Sequence, residues 1–466
     1  MLEPIRIVRV KKTVLVLLIL SLAPACAMRR AAGTPAESPN AQQSIRAHME
    51  FLASDALNGR GSGTRDEWIA VTYVAAQLRR LALEPVDAGA GYIQTIEIER
   101  GELAAPPVIT VGGERFVHGA DVTVGPLAAA RISGPLARFS AAAPVGRGTV
   151  VLVSETTPDV ASQVAAASMV LTKTGGCGPV RGPGAALPRL APRILGTMPA
   201  GARPTCVAFS PEKFAVIEKM AVGVTVTLEA EVKNVQKTNT WNAVGQLTGS
   251  DPALATDVIL LSAHIDHVGT GRGAPKAGAD TIYNGADDDA SGSVAVLELA
   301  AALAAGPRPK RTVVFAWFGS EESGGSGSGY FVDKPVVPLE RIVANLQFEM
   351  IGRADAKVPP HTLWLTGYER SNLGSELAKR GAKLVQDPHP EQSFFTRSDN
   401  IRFARRGVIA HTVSSFGLHK DYHQPSDEIG TIDFAHMTDA IRSMIEPVRW
   451  LANSTFRPEW KPGMKP

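Results

Sequence analysis

Three segments decide the reading: Val258-Ile-Leu-Leu-Ser-Ala-His264-Ile-Asp266-His267, Asn284-Gly-Ala-Asp287-Asp288-Asp289-Ala-Ser-Gly292 and Thr312-Val-Val-Phe-Ala-Trp-Phe318-Gly-Ser-Glu321-Glu322. Val258–Leu261 and Thr312–Phe318 are short, apolar and rich in β-branched and aromatic residues. They read as strands buried on both faces, as in a mostly parallel sheet. Ligands of such sheets bind beyond the carboxyl ends of the strands. His264, Asp266, Glu321 and Glu322 fall at that end. A lone histidine there would be an ordinary hydrogen-bonded residue, and a lone carboxylate a cap or a solvated charge. Several carboxylates converging on one crevice repel one another, and one or two divalent cations would remove that conflict.

The chain has 466 residues, 44% of them hydrophobic, and a net charge of +3. That length predicts two or three domains with a substantial core. No basic cluster interleaved with aromatics follows the N-terminal segment, so nucleic acid is not an expected partner. Arg6, Arg9, Lys11 and Lys12 precede the apolar run Thr13–Leu22, which is too short to span a bilayer comfortably. Ala23-Pro-Ala-Cys26-Ala follows, with small residues suited to cleavage. Residues 1–27 therefore read as an export signal, with Cys26 as an alternative lipid-anchor site. Residues 28–43 read as a flexible tether. The expected location is periplasmic or extracellular. Cys177 and Cys206 are candidates to pair in such a compartment.

Residues 44–100 contain two amphipathic helices, the second over Asp66–Leu83 with Trp68, Val71, Ala75, Leu78 and Ala82 as its buried stripe. Residues 101–233 carry short strands among Gly, Pro and Ala and none of the acidic turns. They read as a separate, inserted α/β module bordering a crevice. Residues 234–455 alternate strands and helices around one sheet, and 456–466 form a tail. The fold class is α/β: a mixed, mostly parallel sheet flanked by helices, with a smaller inserted strand-rich domain. Gly324–Gly329 reads as a flexible Gly/Ser loop near the site. Asp289 or Ser291 is placed to cap the helix that begins near Ser293.

Histidine and carboxylate ligands suit zinc. A pair of ions needs a carboxylate that can bridge them, with further ligands on either side. His264, Asp287, Glu322, Glu349 and His423 supply such a set. Glu321 is a spare carboxylate beside a ligand, as a general base for water requires.

At this point the sequence resembles the secreted di-zinc aminopeptidases of the bacterial leucyl aminopeptidase type, related to glutamate carboxypeptidase II. The matching pieces are His264-x-Asp266, Asn-Gly-Ala-Asp287-Asp288-Asp289-Ala-Ser-Gly, Glu321-Glu322, Phe348-Glu349-Met-Ile-Gly, Arg397-Ser398-Asp399 and Tyr422-His423-x-x-Ser-Asp427, in the family's order over residues 236–450. Leu52-x-Ser-Asp-x-Leu-x-Gly-Arg60 and the inserted module resemble members with a protease-associated domain. The resemblance implies a zinc exopeptidase fold, two zinc ions per chain and a peptide substrate. Asp287 would bridge the ions, His264 and Glu349 would hold one, and Glu322 and His423 the other. Glu321 would be the base, and Asp266 would hold the second nitrogen of His264. The Asp287–Asp288 peptide would be cis. The family commonly has Asp where this chain has Glu349, which leaves a weaker or single-zinc centre open. His267 and His419 read as structural, and Tyr422 as either packing or a donor to the reacting carbonyl.

The rival readings are a carboxypeptidase or dipeptidase on the same metals, with Arg397, Arg402 or Arg405 holding a substrate carboxylate; an inactive binding protein; and a single-zinc acyl-transfer enzyme. The ligand set argues against the last two.

Overall fold

The computed structural model describes residues 41–466, apart from 88, 90, 144, 156, 158–159, 161–162, 165, 174–181, 183–184, 196–203 and 272–277. The signal, the lipid-anchor candidate Cys26, Cys177 and most of the tether lie outside the described residues. Cys206 is disulfide-bonded.

The apolar runs form the middle of a nine-stranded sheet. Its strands are β1 (Ile93–Leu103), β2 (Arg193–Ile194), β3 (Val232–Leu247), β4 (Val258–His264), β5 (Thr312–Phe318), β6 (Ile342–Phe348), β7 (Leu363–Leu365), β8 (Leu384–Gln386) and β9 (Ala410–Ser414). Their spatial order is β8-β7-β9-β6-β4-β5-β3-β1-β2. The block β5-β4-β6-β9 is parallel. The flanking pairs β3-β5, β1-β3, β1-β2 and β7-β9 are antiparallel, while the edge pair β7-β8 is parallel. Parallel pairing is thus concentrated at the centre of a mixed sheet.

Alternate residues of one strand enter different cores. Ile259, Leu261, Val313, Phe315 and Trp317 face the helices α1 (Ala41–Leu52), α2 (Arg65–Arg80), α3 (Gly292–Ala304) and α5 (Phe434–Asn453). Val258, Leu260, Val314, Ala316 and Phe318 face Phe331 of α4 (Ser326–Asp333) and Phe403. Burial on both sides is why these strands are apolar throughout. The register pairs His264 with Phe318, and Phe348 with Val413. The residues that follow these four strands therefore emerge along one edge of the sheet.

A second sheet of eight strands spans Val108–Glu229. It has its own core, including Ile109, Phe116, Leu136, Leu171, Phe209 and Phe214. The long antiparallel pair β1-β3 runs out to Leu103 and Val232, where this sheet begins.

Two local expectations change. The buried face of α2 is Glu67, Ala70, Val71, Val74 and Leu78, whereas Trp68 is 38% exposed. The helix rolls to bury a carboxylate, because Glu67 accepts from Thr240 Oγ1 (2.7 Å) and from the backbone N–H groups of Gly63 (2.6 Å) and Ser320 (2.9 Å). Ser326–Gly329, read as loop, opens α4. Its small residues let it press against the turn after β5: a Cβ at Gly327 would lie 2.4 Å from the carbonyl oxygen of Gly319.

Arg60 is 1% exposed and donates to the carbonyls of Leu52, Ile265 (2.9 Å), Asn284 (2.6 Å) and Gly285 (3.0 Å). It joins the N-terminal segment to the loops after β4 and before α3. Removing it leaves buried carbonyls without donors, each worth about 1–3 kcal/mol. Arg60→Met is expected to lower the stability of the purified protein by about 3 kcal/mol or more, read from urea unfolding; an unchanged midpoint would show that the clamp is dispensable.

Candidate metal centre

The loop after β4, the turn before α3, the turn after β5, the end of β6 and the loop after β9 meet at the carboxyl edge of the parallel block. Asp288 is at the focus. His264 Nε2 lies 3.1 Å from its Oδ1, and His423 Nε2 lies 3.1 Å from its Oδ2. His423 Nε2 is also 2.9 Å from Glu322 Oε1. His264, Asp288 and Glu349 form one group able to hold a cation, and His267, Asp288 and Glu322 form a second. Asp288 thus presents one oxygen to each group, as a bridging carboxylate does.

This corrects the expectation for Asp287 and for the cis peptide. Asp287 turns away: its carboxylate accepts from Gly352 N (2.7 Å) and Ser291 Oγ (3.1 Å), and it meets His419 Nε2 at 2.9 Å. The cis peptide joins Asp288 to Asp289. Asp289 accepts from the N–H groups of Gly292 (3.0 Å), Met350 (3.1 Å) and His264 (3.2 Å), which caps α3 and ties β4 to β6. The three consecutive aspartates have three tasks, and only the middle one faces the crevice. Asp427 fixes that register by accepting from the N–H groups of Asp287 and Asp288, all at 3.1 Å.

Asp266 also works differently from the expectation. His264 Nδ1 meets the Asp266 backbone carbonyl at 3.0 Å, while the Asp266 carboxylate is 3.8 Å away. That carboxylate accepts instead from Glu321 N (2.9 Å), Glu322 N (3.3 Å) and Ser62 Oγ (2.5 Å). It holds the turn that carries the two glutamates, and the carbonyl orients the imidazole.

Charge sorts the acids. Burial pushes the Glu321 carboxyl well above the ordinary range; the charges of Asp399, Glu349 and Glu322 add to this, against His264. No described residue makes a hydrogen bond or ion pair with that carboxylate. Burial likewise raises Glu349 to about 7. For Asp288, burial is outweighed by His264 and His423, which hold it well below its usual value. Burial and Asp288 raise Glu322, but His267 and His423 bring it down to about 2. Burial would lower both imidazoles, yet the surrounding carboxylates raise His264 well above its usual value and His423 to about 10. The carboxylates thus favour a proton on each of these imidazoles. A dication competes for the same sites, because metal ligands bind deprotonated. Among the described residues, the buried Glu349 Oε2 and both ring nitrogens of His267 have no hydrogen-bond partner. Bare polar atoms, imidazole nitrogen and carboxylate oxygen together fit zinc.

Beside Glu349 lies a pocket walled by Met350, Trp364, Phe394, Arg397, Phe416 and Tyr422. Tyr422 stacks on His423 with ring centroids 3.9 Å apart. Arg402 donates to the carbonyl of Gly324. Sequence reasoning missed Glu67 and Arg353 and quoted Asp427 as a motif residue without a role; Arg353 pairs with Asp421 (2.8 Å) and Asp427 (3.3 Å). The signal for Glu67 was its helical spacing from Val71, Val74 and Leu78.

Asp288→Asn is expected to lose bound zinc after dialysis. Asp287→Asn is expected to keep it and lose about 1–3 kcal/mol of stability. Metal analysis of the two variants checks this, and the reverse result would restore the bridging role to Asp287.

The comparisons follow this geometry. The chain is 27% identical over 249 residues to leucine aminopeptidase 2 of Trichophyton equinum, covering 47% of each chain. It is 34% identical over 134 residues to leupeptin-inactivating enzyme 1 of Streptomyces exfoliatus, covering 28% of this chain and 27% of that one. It is 37% identical over 119 residues to an aminopeptidase of Pseudomonas aeruginosa, covering 25% and 19%. The match therefore spans less than half the length of these curated relatives. Two solved structures share the fold. An aminopeptidase from Aneurinibacillus sp. strain AM-1 superposes with a TM-score of 0.51 at 17% identity, over 91% of this chain and 95% of that one. A zinc aminopeptidase from Bacillus subtilis gives 0.50 at 19% identity, over 90% and 96%. Residues 242–447 match the model of Peptidase family M28.

Proposed function

We propose that the protein is a zinc-dependent aminopeptidase that removes N-terminal residues from peptides, with two zinc ions per chain. The observation that carries this is Asp288, whose two oxygens face two separate histidine-bearing groups. His264, Asp288 and Glu349 would hold one ion; Asp288, Glu322 and His423 would hold the other. Bound zinc supplies Lewis acidity and lowers the pKa of its water. The extra methylene of Glu349 is compatible with a ligand role, since this residue falls in the same group as His264 and Asp288.

The chain's own groups do the rest. Asp266 holds the backbone of Glu321 and Glu322 in place. The Glu321 carboxylate accepts a proton from the attacking water and delivers it to the leaving amine, which suits a carboxyl held above its usual range by burial. The pocket beside Glu349 receives the first side chain of the substrate. Residues 101–233 would be an inserted, protease-associated-like domain, a reading supported by the separate sheet and core at Val108–Glu229. Export is supported by the basic and apolar N-terminal pattern. Among the described residues no helix is long and apolar enough to cross a membrane.

A carboxypeptidase or dipeptidase draws support from Arg397, whose guanidinium lies in the pocket wall 4.9 Å from the Phe394 ring centroid. Peptides blocked at either end separate the readings: an aminopeptidase cleaves C-amidated peptides and spares N-acetylated ones.

Glu321→Gln is expected to lower kcat by about 10²–10⁴-fold with zinc content unchanged. Turnover at the original rate in that variant would defeat the base assignment. Chelation is expected to abolish activity of the intact protein on aminoacyl amides, and zinc to restore it.

A further inference from the structure

His267 is placed unlike an ordinary buried histidine. Its side chain is fully buried, yet among the described residues neither ring nitrogen has a hydrogen-bond partner. Leaving a buried polar group bare is unfavourable, so an imidazole kept in this state needs a partner of another kind. Its surroundings fix the ring. The His267 N–H donates to the Arg60 carbonyl at 3.1 Å. Gly285, at φ 57°, lies against the ring, and a Cβ there would come within 2.5 Å of it. The ring is therefore wedged in one position rather than free to turn toward a donor or acceptor.

Nδ1 lies 3.0 Å from Glu322 Oε1 and 3.9 Å from Asp288 Oδ2. His423 Nε2 lies 2.9 Å and 3.1 Å from the same two oxygens. The Nδ1 contact is close but not aligned as a hydrogen bond. Four nitrogen and oxygen ligands around zinc, at bond lengths of about 2.0–2.2 Å, stand about 3.3 Å from one another. The separations from His267 bracket that value.

We propose that His267 is a protein ligand to the ion on the Glu322 side. This rests on the two-ion reading given above. That ion would then have His267, His423, Glu322 and Asp288, a closed set of four. The ion on the other side would have His264, Glu349 and Asp288, which leaves a position open. Closed sets characterise zinc that holds structure, and open positions zinc that meets substrate. The two ions are consequently unequal: the one on the Glu322 side is retained, and the one on the Glu349 side exchanges.

The test is metal retention by the full chain, with Zn²⁺ and with Co²⁺ as probes. Wild-type protein is expected to lose one equivalent to a mild chelator and keep the other. His267→Asn preserves a donor near Nδ1 but removes the imidazole. It is expected to weaken the retained equivalent by more than about 100-fold, beyond the 10–100-fold typical of residues that only support a ligand, and to change the visible spectrum of the first Co²⁺ bound. Retention within about 10-fold of wild type and an unchanged spectrum would overturn the proposal, leaving His267 as a support for Glu322. X-ray absorption of the zinc-loaded wild type needs no variant: three imidazoles per pair of ions support the proposal, and two refute it. A wild-type chain that binds no zinc would instead defeat the aminopeptidase reading itself.

Discussion

The structure depends on keeping carboxylates together that would otherwise separate. Asp288, Glu322 and Glu349 fall within groups whose ligand atoms lie within 4.8 Å of one another, and Glu321 adjoins them. Two like charges about 4 Å apart repel by about 4 kcal/mol at an effective dielectric constant near 20. The chain meets this in two ways. Acids that do not face the crevice are given backbone donors: Asp266 by the glutamate turn, Asp289 by three segments, Asp427 by the aspartate loop. Two of the acids that do face it, Asp288 and Glu322, are given histidines. Histidine can yield its proton to a dication, whereas a backbone N–H cannot. The division separates scaffold from ligand.

The scaffold is assembled from distant parts of the chain. Arg60 and Glu67 come from the N-terminal segment, yet they brace opposite sides of the centre: Arg60 the loops around His264 and Asp288, Glu67 the turn before Glu321. Both are buried ionisable groups satisfied by backbone groups or a hydroxyl. This explains why α1 and α2 pack on the main sheet although the second sheet separates them from it in sequence.

The strand ends were legible because a short apolar run followed by acid or histidine is hard to place anywhere except at the carboxyl edge of a buried sheet. β5 matches its expected limits, and β4 extends the expected Val258–Leu261 run up to His264. What was not legible depends on direction within a turn. Asp287, Asp288 and Asp289 are chemically identical and adjacent, so only the hydrogen bonds donated to Asp427 and those received from Gly352 and Gly292 reveal which one faces the crevice. Helical spacing set Glu67 on the buried stripe, but a helix normally turns such a group outward, and the partners that let it stay inside, Gly63, Thr240 and Ser320, are not part of that spacing. The role of Asp266 was displaced for a related reason. Sequence shows a carboxylate two residues from a histidine but not that the carbonyl of the same residue is the nearer acceptor.

The shape of the neighbouring pocket bears on where a peptide would be cut. It borders Glu349 at the centre, and its wall continues through Trp364, Phe394 and Phe416. Trp364 and Phe394 stack at 5.4 Å, and Phe394 meets Phe416 edge-on at 5.8 Å. Asp355 braces this wall from behind, accepting from Trp364 Nε1 at 3.1 Å and meeting His389 Nε2 at 2.7 Å. A wall built of interlocked rings, each held by the next, yields little to a second residue. In the proposed aminopeptidase, a substrate side chain seated in this pocket would lie beside Glu349, with the adjoining peptide bond toward the acids and histidines.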